Sequence, residues 1–222
     1  MSYREMARTM EMDDTSATGM LLFDRLEWRN AKAGDALVWN AEAWYGNDAN
    51  TLLLKSEGAR HNGETTARTE LLWDKPIARW WNLQAGVRHD SAIEESREWL
   101  AAGVQGLAPG FIDIEATAYI GDSGRAAARL SAERDVLLTQ RLILQPEVEL
   151  NLYTQADPAN QIGSGVSDLE VALRLRYEIR REFATYLGVV WARRFGNTAT
   201  LARAAGDDPD DVQFAAGLRI WF

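Results

Sequence analysis

The chain has no cysteine among its 222 residues, which excludes disulfides, a thiolate metal site and a cysteine nucleophile. It has two histidines, His61 and His89, too far apart in sequence to define a site. Basic charge is scarce as well: 24 Lys and Arg stand against 33 Asp and Glu, a net charge of -9. Such a balance argues against a nucleic-acid partner, because phosphates would go unneutralised. No apolar run approaches the roughly 18 residues that a membrane helix needs. No helical segment of useful length and no Ser/Pro-rich linker divides the chain, so it reads as one domain. The opening MSYREMARTMEMDD lacks the apolar stretch of a secretory leader.

These absences leave one membrane class open. A strand of a transmembrane barrel crosses with about 9–11 residues, of which only every second must be apolar. Residues 168–180 show that pattern: Leu169, Val171, Leu173, Leu175, Tyr177 and Ile179 on one face, Asp168, Glu170, Arg174, Arg176, Glu178 and Arg180 on the other. A period of two sorts residues in a strand and not in a helix. The same alternation, clean or weaker, runs through 20–29, 36–46, 51–60, 64–74, 78–90, 97–106, 111–120, 126–136, 141–153, 183–195 and 212–222. The expectation is an all-β fold, a twelve-stranded antiparallel up-and-down transmembrane barrel over 20–222, preceded by a flexible stub at 1–19. Two residues resist the pattern. Asp24 falls on the apolar side of the first strand, and Pro146 sits inside the ninth, where it forfeits a ladder hydrogen bond.

Link lengths agree with a barrel. The two long links, 155–167 and 196–211, follow odd strands, whereas links after even strands, such as 46–50 and 181–182, are short. Outer-membrane barrels have long extracellular loops and short periplasmic turns. Trp28, Trp73, Trp80, Trp81, Trp99 and Trp221 fall near strand ends, where aromatic girdles meet the lipid interface. The alternative is a soluble β-sandwich with these residues in its core.

If the apolar face meets outer-membrane lipid, the charged face lines a lumen. That lining would comprise Glu42, Arg68, Glu70, Asp113, Glu115, Arg141, Glu147, Glu149, Asp168, Glu170, Arg174, Arg176, Glu178 and Arg219, with Glu57, Arg88, Asp90, Arg129, Glu133 and Arg194. Mixed signs favour pairing across strands. Eight strands fill a barrel and 16–18 leave a channel, so twelve implies a narrow, partly occluded polar passage.

Two motifs carry candidate chemistry. His89-Asp90-Ser91 puts a base and a nucleophile on one outward face, as in the twelve-stranded outer-membrane phospholipases, although the Asn that follows in that family is missing. The bland reading is a His and a Ser at a loop rim, and no catalytic residue is assigned. Met6, Met10, Met12 and Met20 with Asp13 and Asp14 offer thioethers, soft ligands suited to Cu(I), beside carboxylates. The bland reading here is an acidic terminus with incidental Met.

Several strands also resemble a known family. LKSEGARHNGETTARTELLWDKPIARWWNLQAGVRHD (54–90), the run 103–155 containing VLLTQRLILQP, LRLRYEIRREFATYLGVVW (173–191), DRLEW (24–28) and the ending RIWF are similar to the copper-resistance outer-membrane protein B family. The resemblance spans residues 20–222. It implies a Gram-negative outer-membrane barrel that binds copper or lets it cross, working beside a periplasmic copper-binding protein and a multicopper oxidase. Members carry a Met/His-rich N-terminal region, of which only MEMDD remains here. The terminal aromatic Phe222 resembles the signal read by the barrel-assembly machinery. A narrow channel for other small polar solutes is the alternative function, and a lipid hydrolase ranks third.

Overall fold

The computed structural model describes residues 16–91 and 95–222. Twelve long antiparallel strands succeed one another: β1 (Thr18–Ala31), β2 (Gly34–Asn47), β3 (Asn50–His61), β4 (Glu64–Ala78), β5 (Trp81–Ser91), β6 (Arg97–Ala108), β7 (Ile112–Gly121), β8 (Ala126–Glu133), β9 (Leu142–Tyr153), β10 (Gly165–Arg180), β11 (Phe183–Arg194) and β12 (Asp210–Trp221). Each pairs with the next, and β12 returns to β1 through Leu22–Trp221 to Asn30–Phe214. The sheet is a closed barrel. Closure abolishes the unpaired edges that an open sheet exposes, and in lipid an unsatisfied edge would be untenable.

The faces are inverted relative to a soluble protein. Leu37, Leu54, Leu71, Val87, Leu100, Ile120, Leu173, Leu187 and Phe214 are all exposed. Glu27, Glu70, Arg88, Arg174 and Arg176 are all buried, each 3% exposed or less. Alternation along the strands produces both faces at once, because successive side chains point to opposite sides. The outer band is the lipid face of a transmembrane barrel. Exposed Tyr45, Trp73, Trp80, Phe111, Tyr177 and Phe222 gather at the short-turn end, the position of an interfacial girdle. Trp99 departs from that expectation. It lies on the inward parity of β6, 6% exposed, and its indole nitrogen donates to Asp90 at 2.9 Å.

Both irregular residues have physical explanations. The β1–β2 register shifts between Phe23 and Arg25, a bulge that turns Asp24 and Arg25 to the same side. A bulge re-aims side chains in this way. The apolar parity of β1 therefore reverses: Leu21 faces out before the bulge, Leu26 and Trp28 after it. Asp24 is thereby inside, and it accepts from Arg219 Nε at 2.7 Å. Pro146 sits where β8 has just ended: the last β8–β9 pair is Glu133–Glu147, and Arg134 N still reaches the Pro146 carbonyl at 3.1 Å. Its missing donor faces the end of the ladder, so a single hydrogen bond is lost. Beyond it, Val136–Leu137 makes only a two-residue bridge to β9, which splits the continuous strand expected over 126–136.

A helix does form, contrary to the sequence expectation. α1 (Gly196–Ala205) lies within the long link before β12. Its TATLARAA run is rich in good helix formers, and Gly206 at φ 91° supplies the left-handed C-terminal stop. The helix docks through Thr198, whose hydroxyl donates to Ser167 Oγ of β10 at 3.2 Å and accepts from Gly163 N at 2.9 Å.

Candidate functional site: a polar lumen in three chambers

The inward residues enclose three connected spaces. At the long-loop end a chamber of about 420 Å³ is lined by Arg68, Asp90, Trp99, Tyr153 and the inturned loop residues Asp157, Asn160 and Ile162. At the short-turn end, one of about 520 Å³ lies among Glu42, Trp44, Asp74, Trp80, Gln84 and Asp113. Between them, about 240 Å³ is bounded by Asp24, Glu42, Lys55, Asp113, Glu115, Glu133 and Arg219. Arg25 and Glu57 line both the upper and the middle chamber. Glu42, Gln105 and Asp113 line both the middle and the lower one.

Side chains that cross the lumen separate the upper chamber from the middle one. Arg129 of β8 donates to both oxygens of Glu57 on β3, at 2.6 and 2.8 Å, and to Glu149 at 2.8 Å. Arg25 reaches Glu147 at 2.9 Å. Arg174 binds Glu27 at 3.1 and 3.2 Å and also holds Glu147. Glu27 further accepts from Arg29 at 2.5 Å and from the Tyr186 hydroxyl at 3.0 Å, and Arg29 extends to Glu170 at 2.8 Å. Each charge of this network has an opposite partner, which is what burial of ions demands. Gly217 makes room for this cluster, since a Cβ there would meet Tyr186 Oη at 2.5 Å.

Glu70 accepts from Tyr119 at 2.8 Å, Asp168 from Asn151 at 2.8 Å, and Glu115 from Lys55 at 2.7 Å. Arg176 donates to Asp135 at 2.6 Å. Glu178 is half-buried at the short-turn end of β10. Arg141 is exposed and precedes β9, so it belongs to the turn and not to the lumen wall. Glu42, Asp113 and Glu133 have no cationic side chain within ion-pair distance among the described residues, and Glu133 accepts only from Gln145 at 3.2 Å. Met6, Met10, Met12, Asp13 and Asp14 lie outside the described residues. Met20 is half-buried on β1, opposite Trp44 of β2. Phe222 is exposed, and its backbone exchanges hydrogen bonds with Leu21 at 2.9 and 3.1 Å.

Sequence reasoning missed Arg25, Glu27 and Arg29, the centre of the network. Their own alternation with Leu26 and Trp28 was the available signal, masked by the parity reversal at the bulge. His89 and Ser91 are both exposed, Ser91 at the rim of the upper chamber. His89 Nδ1 contacts Glu98 at 2.5 Å, and no hydrogen bond joins it to Ser91, so a base-activated nucleophile is not assembled. Among the described residues no group of three or more Asp, Glu or His side chains is arranged to hold a metal ion.

The loop over the upper chamber is pinned by charge. Asp157 accepts from Arg97 at 2.9 Å, Arg125 at 3.2 Å and Asn160 at 3.0 Å. Burial pushes its carboxyl up, but the donors Arg97 and Asn160 and the charges of Arg97 and Arg125 outweigh it and hold the carboxyl below its usual range. A depressed carboxyl contributes its stabilisation above the unfolded value, about 4, and loses it as pH falls through the folded value. Hydrogen exchange across 155–162 is therefore expected to accelerate below that value, and at neutral pH in Asp157→Asn. Unchanged exchange in the variant would show that the loop is held by other contacts.

The family model described as copper resistance protein B precursor (CopB) matches residues 17–222. Copper resistance protein B of Escherichia coli is 46% identical over 210 residues, covering 94% of this chain and 71% of that protein. The copper resistance protein B homolog of Pseudomonas syringae pv. tomato (strain ATCC BAA-871 / DC3000) is 45% identical over 213 residues, 96% of this chain and 72% of that one. Among solved structures, the NanC porin superposes with a TM-score of 0.61 at 12% identity, over 90% of this chain and 98% of that one. The KdgM porin gives 0.58 at 10% identity, over 91% and 99%. At such identities the likeness is one of fold.

Proposed function

Since the chain belongs to the copper resistance protein B family, we propose that its barrel handles copper in the outer membrane of a Gram-negative cell, holding it or letting it cross. The long links then face outward and both termini face the periplasm. The role is non-enzymatic, and the periplasmic partners are a copper-binding protein and a multicopper oxidase.

The observation that carries this reading is the acidity of the middle chamber. Seven carboxylates and four cationic side chains line it, and Glu42, Asp113 and Glu133 are not matched by any of the four at ion-pair distance. A confined excess of negative charge raises the local concentration of cations. Carboxylates suit hard cations better than copper, whose usual ligands are imidazole and sulfur. Oxygen donors therefore attract copper without trapping it, which suits passage more than storage. Softer donors would come from Met6, Met10, Met12 and Met20 at the periplasmic side, with Asp13 and Asp14 beside them.

A narrow channel for other small polar solutes is the second reading, favoured by the three chambers in line. Proteoliposomes separate the two. Glu42→Gln/Asp113→Asn/Glu133→Gln is expected to lower Cu²⁺ uptake severalfold and leave sugar and amino-acid uptake unchanged. Copper uptake equal in the variant and the wild type would remove the chamber from the pathway. Copper titration of Met10→Ala/Met12→Ala tests the N-terminal share, which an unaltered stoichiometry and affinity would eliminate.

A further inference from the structure

The upper chamber holds a cation that no side chain of the lumen network hydrogen-bonds. Arg68 sits on β4 between two carboxylates, Glu57 directly across on β3 and Asp90 directly across on β5. Neither is hydrogen-bonded to it. Both Glu57 oxygens are taken by Arg129, at 2.6 and 2.8 Å. Asp90 is gripped by Arg88 through two bonds of 2.7 Å and by the Trp99 indole at 2.9 Å. Its nearest approach to Arg68 is 3.9 Å, beyond hydrogen-bond range. The Arg68 Nε is buried with no acceptor, and its Nη atoms have none among the described residues.

A second free donor lines the same space. Tyr153 faces the chamber, its ring edge-on to Trp99 at 6.3 Å, and its hydroxyl has no hydrogen-bond partner among the described residues. The chamber volume of about 420 Å³ lies within the range that takes a small molecule, roughly 300–1,000 Å³. A guanidinium without a hydrogen-bond acceptor and a free hydroxyl in one chamber, with an aromatic wall and the unpartnered Asn160 Oδ1, leave donors open to a ligand. A buried donor without an acceptor is costly, and a guanidinium fork matches the two oxygens of a carboxylate or phosphate.

We infer that the upper chamber is an oxyanion site, in which a small carboxylate or phosphate entering from the long-loop end is held by Arg68 and Tyr153. The site stands apart from the acidic chamber and does not depend on copper as the cargo. The lumen is thus graded: an anion-accepting vestibule leads to a cation-attracting chamber, with the Arg129–Glu57 and Arg25–Glu147 pairs between them. A solute must exchange one electrostatic environment for the other to pass.

Trp39 and Trp99 line the chamber, so intrinsic fluorescence of the detergent-solubilised protein reports its occupancy without added copper. Titrations with citrate and with inorganic phosphate, at ionic strength held constant with chloride, are expected to saturate, and the stronger of the two identifies the anion class. Arg68→Gln is expected to weaken that binding by about tenfold or more, the loss of a charge-assisted partner. Arg68→Lys should restore part of it, and Tyr153→Phe should weaken it less. Folding of each variant is checked by its heat-dependent shift on a gel. If Arg68→Gln does not fold, Tyr153→Phe and the wild-type titration decide. No saturable response to either anion in the wild type overturns the proposal, as does binding that a folded Arg68→Gln, or failing that Tyr153→Phe, leaves unaltered.

Discussion

Glu27→Ala is expected to lower the unfolding free energy of the barrel by about 3–5 kcal/mol, the cost of breaking a buried ion network by removing one member. Glu27 is fully buried, 0% exposed, and it accepts from Arg29, Arg174 and Tyr186 together. Its removal strands two guanidinium groups and a hydroxyl in a closed lumen. Glu147 and Glu170 still engage Arg174 and Arg29, which keeps the loss from growing further. Glu27→Gln retains one acceptor oxygen and should fall between the wild type and Glu27→Ala. The control is the surface pair Arg193–Asp210, 3.8 Å apart with side chains 51% and 46% exposed. Its disruption is expected to change stability by less than about 0.5 kcal/mol. Equilibrium urea unfolding in phospholipid vesicles measures all three. A loss in Glu27→Ala no larger than in the control would show that the network is hydrated and contributes little to stability.

The second large effect concerns passage. Arg129 and Glu57 join β8 to β3 across the lumen, and the upper and middle chambers meet beside Glu57. Replacing both with Ala removes the crossing without leaving the pair half-made, and Glu149 keeps its bond from Asn151 at 2.9 Å. Single-channel conductance of Arg129→Ala/Glu57→Ala in planar bilayers is expected to rise severalfold over the wild type. Arg129→Ala alone removes both hydrogen bonds to Glu57 and should be the less stable protein. Equal conductance in the double variant and the wild type would place the constriction elsewhere, with Arg25–Glu147 as the next crossing to open.

The strands that were plain in the sequence are those with the sharpest alternation. β10 reads as Leu, Val, Leu, Leu, Tyr and Ile against Asp, Glu, Arg, Arg, Glu and Arg; Arg174 and Arg176 of the charged set are buried, and Arg180 at the strand end is exposed. β1 was legible as a strand but not in its orientation. One extra residue at Asp24 reverses a period-two pattern, and alternation alone does not reveal where the insertion falls. The helix 196–205 was hidden for a different reason: ten residues in a long link are short for a helix that must stand alone, and docking of Thr198 on Ser167 supplies what local propensity does not. Trp99 looked like its girdle neighbours because composition near a strand end does not indicate which face a residue takes.

By itself the sequence determined that this chain is a barrel-type sheet in lipid: its period is two, its apolar face recurs in every strand, and its two longest links follow odd strands. Those are properties of consecutive residues, which local geometry converts directly into faces and turns. The lumen was decided by tertiary structure. Arg25 meets Glu147, Arg129 meets Glu57, and Arg174 meets Glu27 across separations of 122, 72 and 147 residues. Such partners are chosen by the curvature of the closed barrel, the bulge in β1 and the reach of each side chain. Arg68 faces carboxylates on both neighbouring strands, and only the folded barrel shows that Arg129 and Arg88 have taken their oxygens.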